Sequence, residues 1–327
     1  MSRGNAGSAT KRRATLLGVA VAATAAGAAL AVRRWKTADD PCAGHVLDLE
    51  GARTFKVEQA GGAVLDGVVT GPESGPLVVL SHCWTGTRAT WEPVAARLAA
   101  SGRRVVLYDQ RGHGASTLGS EAPTVEQLGE DLAAVLEAVD ARDAVVAGHS
   151  MGGMATQALA VVRPEVVAER VKAMVLVGTA GFGVAAGPLA VPVRFVTGHR
   201  SVERLLAGPF GPALTRGAVG RRPRQAHLVA TRDAFLSLPA DVRRQFLTAL
   251  QAMDFRAGLA AVTAPTTVVV GSRDLLTPPR LGRALATAIP GARLVEVPGA
   301  GHMLPYEQPD LLAEIIVSAG ERTGGAS

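Results

Sequence analysis

The chain has 327 residues, 48% of them hydrophobic, enough to bury one large core or a core with an inserted subdomain. That composition excludes a disordered or fibrous chain, and two cysteines, Cys42 and Cys83, give no spacing for a disulfide framework or a cysteine metal site. The formal charge of +6 is unevenly spread: residues 1–36 and 182–262 each carry +7, leaving −8 for the remainder. With no nucleic-acid motif or interleaved aromatics, this basic excess does not point to a nucleic-acid partner.

The first feature in chain order is Ala14 to Val32, an uncharged run flanked by Arg12-Arg13 and by Arg33, Arg34 and Lys36. As a helix it would span roughly 28 Å, close to the ~30 Å of a bilayer core, although its alanines bury little area. Positive charge directly after the run favours retention, so residues 14–32 are expected to be a signal anchor. A cleaved export signal, with Arg12-Arg13 as a weak twin-arginine mark, and an alanine-rich helix lying against the domain are the alternatives. Residues 37–51 then read as a linker.

From Val46 onward, short β-branched runs alternate with amphipathic stretches, which predicts an α/β fold: a mostly parallel sheet covered by helices on both faces. Eight strands are expected: Thr54 to Gln59, Ala63 to Val69, Leu77 to Ser81, Val105 to Tyr108, Ala144 to Ala147, Ala173 to Val177, Thr266 to Val270 and Arg293 to Val297. The first two, separated by Gly61-Gly62, should pair as an antiparallel hairpin. Helices are expected over Trp91 to Ala100, Val125 to Val139, Met151 to Val162, Pro279 to Ile289 and Pro309 to Ala319. One interval, residues 182–262, breaks the alternation. A segment that long needs structure of its own, and it reads as a helical lid with helices near Val202 to Leu206, Arg224 to Phe235 and Asp241 to Met253. The expected organisation is a core of residues 52–181 and 263–320, with the lid between them and a tail over 321–327.

The strongest chemical signal is Gly148-His149-Ser150-Met151-Gly152-Gly153, between a strand and a helix. A serine on such a sharp turn projects its hydroxyl above the sheet edge, and the flanking glycines permit the tight backbone. A hydroxyl is a poor nucleophile at neutral pH and needs a base, with a further group to orient that base. Asp274, in Gly271-Ser272-Arg273-Asp274, and His302, in Gly301-His302-Met303, follow later strands and fall at the same sheet edge. Ser150 is thus the candidate nucleophile, His302 the base and Asp274 the orienting acid. Taken singly, Asp274 could cap the turn before Thr277-Pro278, and His302 could be structural. The developing oxyanion needs two donors: the backbone N–H of Met151 at the helix start, and that of Trp84 in the loop Ser81-His82-Cys83-Trp84-Thr85-Gly86.

Across roughly residues 52–320 the chain resembles the α/β-hydrolase superfamily, most of all its lid-bearing esterases, monoacylglycerol-lipase-like enzymes and cofactor-free haloperoxidase-like members. The matching pieces are the His82 loop, Asp109-Gln110-Arg111-Gly112-His113-Gly114-Ala115-Ser116, the Gly148 to Gly153 elbow, the Asp274 loop and Gly301-His302. The resemblance implies that Asp109 and His113 belong to a structural turn, and that His82 and His149 are scaffold. Cys83 departs from the pattern by standing where the family has glycine, which alters the expected loop path or the position of the Trp84 amide.

The expected function is hydrolysis of a small apolar, lipid-like carboxylic ester through an acyl-Ser150 intermediate, without metal or organic cofactor. Perhydrolysis seen as haloperoxidase activity, cleavage of amides, thioesters or carbon–carbon bonds, and a non-catalytic binding protein of the same fold are alternatives. Ser150 argues against epoxide hydrolases and haloalkane dehalogenases, whose nucleophile is an aspartate. The two basic pieces and the hydrophobic segment together point to work at an anionic membrane surface.

Overall fold

The computed structural model describes residues 51–184, 200–222 and 224–322. The strands are β1 (Arg53–Glu58), β2 (Val64–Thr70), β3 (Leu77–Ser81), β4 (Arg104–Tyr108), β5 (Ala144–His149), β6 (Val171–Val177), β7 (Thr266–Gly271) and β8 (Arg293–Val297). They form one eight-stranded sheet in the order β1-β2-β4-β3-β5-β6-β7-β8. The β1–β2 and β2–β4 pairs are antiparallel and every later pair is parallel, as the alternation of short strands and helices predicts.

Whereas the edge strands β1 and β8 carry exposed charges, the inner strands β3 to β7 are apolar at most positions because both their faces are buried. Their period-two geometry sends Val79, Val106, Val146, Leu176, Val268 and Val270 to one face. It sends Val78, Leu80, Val105, Leu107, Val175 and Val269 to the other. Helices α1 (Glu92–Ala100) and, at the chain end, Pro309–Glu321 cover the second face through Val94, Leu98, Leu312 and Ile316. Helices α2 (Val125–Ala138) and α3 (Met151–Val162) cover the first through Leu128, Leu132, Met154 and Leu159. A capping box starts α2: the Thr124 hydroxyl accepts from Gln127 N–H at 3.1 Å, and Gln127 Oε1 accepts from Thr124 N–H at 3.0 Å. A further helix, α4 (Pro164–Arg170), was not expected; Pro164 ends the α3 register and opens a new helix at its first position.

Between β6 and β7 the described residues hold α5 (Arg200–Ala207), α6 (Gln225–Ser237) and α7 (Ala240–Ala252), with single turns at Gly211–Leu214 and Arg256–Leu259. On α7, Val242, Phe246 and Leu250 are buried in the same cluster as α2 and α3. Val219 and Leu228 form a separate small cluster with Cys83 and Met303, so this insertion packs on loops that follow β3 and β8. After β7 come α8 (Pro279–Ala288), the turn Leu304–Glu307, and α9 (Pro309–Glu321).

The membrane expectation is corrected. Among the described residues no helix is long and apolar enough to cross a membrane. The longest, α2, has 14 residues and reaches only about 21 Å, against the ~30 Å of a bilayer core. The hydrophobic run 14–32, the remainder of the basic segment 1–36, residues 37–50 and residues 323–327 lie outside the described residues. The membrane anchor is withdrawn, since no described helix could cross a membrane, and the export signal read from the same run falls outside the described residues.

Candidate active site

Parallel strands bring the ends of β5, β6, β7 and β8 side by side, and the loops after them carry Ser150, Gly178-Thr179, Asp274 and His302. Ser150 joins β5 to α3 at φ 53°, ψ −114°, a conformation that costs a non-glycine residue roughly 1–3 kcal/mol. The neighbouring strand holds it there: Ser150 N–H donates to the Val177 carbonyl at 2.9 Å, and the Thr179 hydroxyl donates to the Ser150 carbonyl at 2.8 Å. Glycine is required at 152, where a Cβ would lie 2.7 Å from the His82 carbonyl oxygen. The first turn of α3 thus packs directly on the end of β3 and the loop leading to Trp84. Met151, at the first position of that helix, has a backbone N–H with no acceptor within the helix.

Asp274 and His302 are both buried, and His302 Nδ1–H donates to Asp274 Oδ2 at 2.8 Å. The second carboxylate oxygen accepts from Leu276 N–H at 2.8 Å and Thr277 N–H at 2.9 Å. Burial pushes the Asp274 pKa up, but the charge and hydrogen bond of His302 and the donors of Thr277 outweigh it, leaving the carboxyl below its ordinary value. The Thr277 hydroxyl lies 2.8 Å from Asp274 Oδ2, 2.8 Å from the Gly178 carbonyl and 3.2 Å from His302 Nδ1. With one proton it can serve one of the two acceptors at a time. Thr277 therefore ties the acid to the loop after β6, a role without a sequence signature.

Three further histidines brace these loops. Burial lowers the pKa of His82 to about 4 and that of His113 and His149 to about 3, so all three are neutral at physiological pH. His82 Nδ1–H donates to the Cys83 carbonyl at 2.8 Å, and its Nε2 accepts from Gln110 N–H at 2.9 Å. His113 Nδ1–H donates to the Arg111 carbonyl at 2.9 Å, and its Nε2 accepts from Thr85 N–H at 3.3 Å. His149 Nε2–H donates to the backbone carbonyl of His302 at 2.8 Å, with the two rings 4.9 Å apart. Asp109 accepts from Arg88 N–H at 2.7 Å and Ala115 N–H at 3.0 Å, bonds suited to a structural turn.

In the loop after β3 the left-handed residue is Thr85, at φ 63°, whereas Cys83 keeps a negative φ and so needs no glycine. Burial pushes the Cys83 thiol up to about 11, which leaves it protonated and inert. Trp84 is half-buried against Phe235 of α6, ring centroids 6.4 Å apart, and its buried indole N–H has no partner among the described residues.

The model of the family described as alpha/beta hydrolase fold matches residues 76–309. The chain belongs to the α/β-hydrolase family. Among its relatives, a protein of Variovorax paradoxus named for carbamate hydrolysis is 29% identical over 236 residues, 72% of this chain and 87% of the relative. A non-heme haloperoxidase of Rhodococcus erythropolis is 27% identical over 248 residues, covering 70% of this chain and 86% of its own. The solved enol-lactonase of Burkholderia xenovorans LB400 superposes with a TM-score of 0.69 at 28% identity, over 79% of this chain and 96% of that one. These relatives support a hydrolase on this fold and leave the bond it cleaves to the site itself.

Proposed function

We propose that the chain is a serine hydrolase that cleaves a small carboxylic ester through an acyl-Ser150 intermediate. The observation that carries this reading is the buried Asp274–His302 pair, bonded at 2.8 Å, at the sheet edge where Ser150 stands on its strained turn. In this reading His302 Nε2 takes the Ser150 proton as Oγ attacks the ester carbonyl, while Asp274 holds Nδ1–H and stabilises the imidazolium. The N–H groups of Met151 and Trp84 receive the developing oxyanion. The imidazolium then protonates the leaving alcohol, and a water activated by His302 hydrolyses the acyl-serine. The enol-lactonase neighbour acts, by its name, on a cyclic ester, which agrees with this substrate class.

The insertion of residues 182–262 serves in this proposal as a lid, since Val219 and Leu228 pack against Cys83 and Met303. An apolar acyl or alcohol group fits the hydrophobic side chains left exposed: Leu275 and Leu276 beside Asp274, with Leu205, Phe210 and Leu214 of the insertion, are the large ones among the described residues.

The test is labelling by a fluorophosphonate probe together with turnover of p-nitrophenyl esters. Wild type is expected to be labelled and active, and Ser150→Ala to lose the label and on the order of 10⁴-fold or more in kcat while remaining folded. Normal turnover by the alanine variant would remove Ser150 as nucleophile. The haloperoxidase relative favours one second reading, in which hydrogen peroxide replaces water in attacking the acyl-serine and releases a peracid. Peracid formation from acetate and peroxide, faster than ester hydrolysis, would favour it.

A further inference from the structure

His302 is held by more than its acid. Its backbone N–H donates to the carbonyl of Ala218 in the insertion at 3.0 Å, and the adjacent Met303 N–H donates to the same oxygen at 3.1 Å. Arg221 N–H donates in return to the Gly299 carbonyl at 2.8 Å. Gly220 and Gly301 meet at this seam with no side chain on either: a Cβ on Gly301 would lie 2.6 Å from the Val219 carbonyl carbon, and one on Gly220 would lie 2.6 Å from Gly301 N. One carboxylate closes the seam. Glu307 Oε2 accepts from Gly220 N–H at 2.8 Å and from Gly301 N–H at 3.0 Å, with Oε1 3.1 Å from the latter. No cation pairs with Glu307 among the described residues; its bonds go to the backbone on either side of the seam.

We infer that Glu307 is a positioning residue that fixes the His302 loop against the insertion, so that the seat of the base depends on the insertion being docked. The inference rests on the triad proposed above. Both glycines are buried, and without the carboxylate their N–H groups have no acceptor, so the loop must shift to find one. Displacement of a base by about 1 Å can cost on the order of 100-fold in rate. Gln at 307 keeps one oxygen that can take the place of Oε2 and accept from both amides, whereas Ala keeps none.

The experiment compares Glu307→Ala and Glu307→Gln in the full chain, with active sites first counted by the fluorophosphonate. If wild type takes no label, the triad proposal fails, whatever Glu307 does. If it does, Glu307→Ala is expected to lower kcat per labelled site by about tenfold or more with KM within about twofold. It should also weaken or shift the far-downfield proton resonance of the His302 Nδ1–H bond to Asp274. Glu307→Gln is expected to restore both to within about threefold of wild type. A Glu307→Ala protein with wild-type kcat, or a loss that Gln does not recover, overturns the inference. Should the alanine variant fail to fold, Glu307→Asp draws the carboxylate back by one methylene, with a fall in kcat expected and an unchanged kcat refuting.

Discussion

Two carboxyl groups flank His302, a buried one in the turn Asp274–Thr277 and a half-buried one in the turn Leu304–Glu307, and the protein treats them in opposite ways. Burial raises the pKa of each, but at Asp274 the charge and bonds of His302 and Thr277 reverse that rise and the pKa falls below its ordinary value. At Glu307 the amides of Gly301 and Gly220 and the charge of His302 offset burial only in part, the charge of Asp274 opposes them, and the pKa stays above its ordinary value. The difference teaches that a carboxylate bonded directly to a group that can become a cation overcomes its burial, while one bonded only to backbone amides, with a second carboxylate nearby, does not. Asp274 is bonded to an imidazole ring. Glu307 is built to hold backbone.

The sharpest way to break this comparison is at the acid itself. Asp274→Asn is expected to leave the chain folded and cut kcat by about 10⁴-fold, because the amide favours the wrong tautomer and cannot stabilise the imidazolium. Steady-state ester hydrolysis checks it; near-normal turnover would transfer the acid's role to another carboxylate. Thr277→Val sharpens it at smaller scale. The Gly178 carbonyl and Asp274 Oδ2 lose the hydroxyl they share, so kcat is expected to fall about tenfold and stability by about 1–3 kcal/mol, read from ester turnover and urea unfolding. If neither moves, the bond to His302 alone holds the acid.

The smallest effect lies in the pH dependence of stability, where the two groups have opposite signs. Asp274 binds its proton less readily folded than unfolded, so its contribution is present above its unfolded pKa, near 3.8, and is lost as pH falls through the lower folded value. Glu307 binds its proton more readily when folded, so its contribution is greatest below its unfolded value, near 4.5, and declines as pH rises through the higher folded value. Glu307→Gln removes that decline. Denaturant unfolding from acid to neutral pH should show the stability of wild type, relative to the variant, falling as pH rises past 4.5. A flat difference would place Glu307 at its ordinary pKa.

Much of the fold was legible because a sheet buried on both faces writes itself as short runs of Val, Leu and Ala. The expected bounds of β3 and β8 coincide with the observed Leu77–Ser81 and Arg293–Val297, and α3 with Met151–Val162. The candidate site was legible where chemistry is concentrated in local motifs: the turn around Ser150, and the loops of Asp274 and His302. What was not legible acts over distance or through the backbone. Glu307 reaches Gly220 across 87 positions, and His113 reaches Thr85 across 28, with no periodicity to announce either.

The order of strands also bears on the life of the chain on the ribosome. After β5 each new strand pairs with the one before it, so the sheet can grow at one edge in the order of synthesis. The proposed nucleophile, Ser150, emerges directly after β5, and the proposed base only after β8. Glu307, which fastens that base, comes five positions later still. A nascent chain not yet extended through β8 would therefore carry the proposed nucleophile without its proposed base.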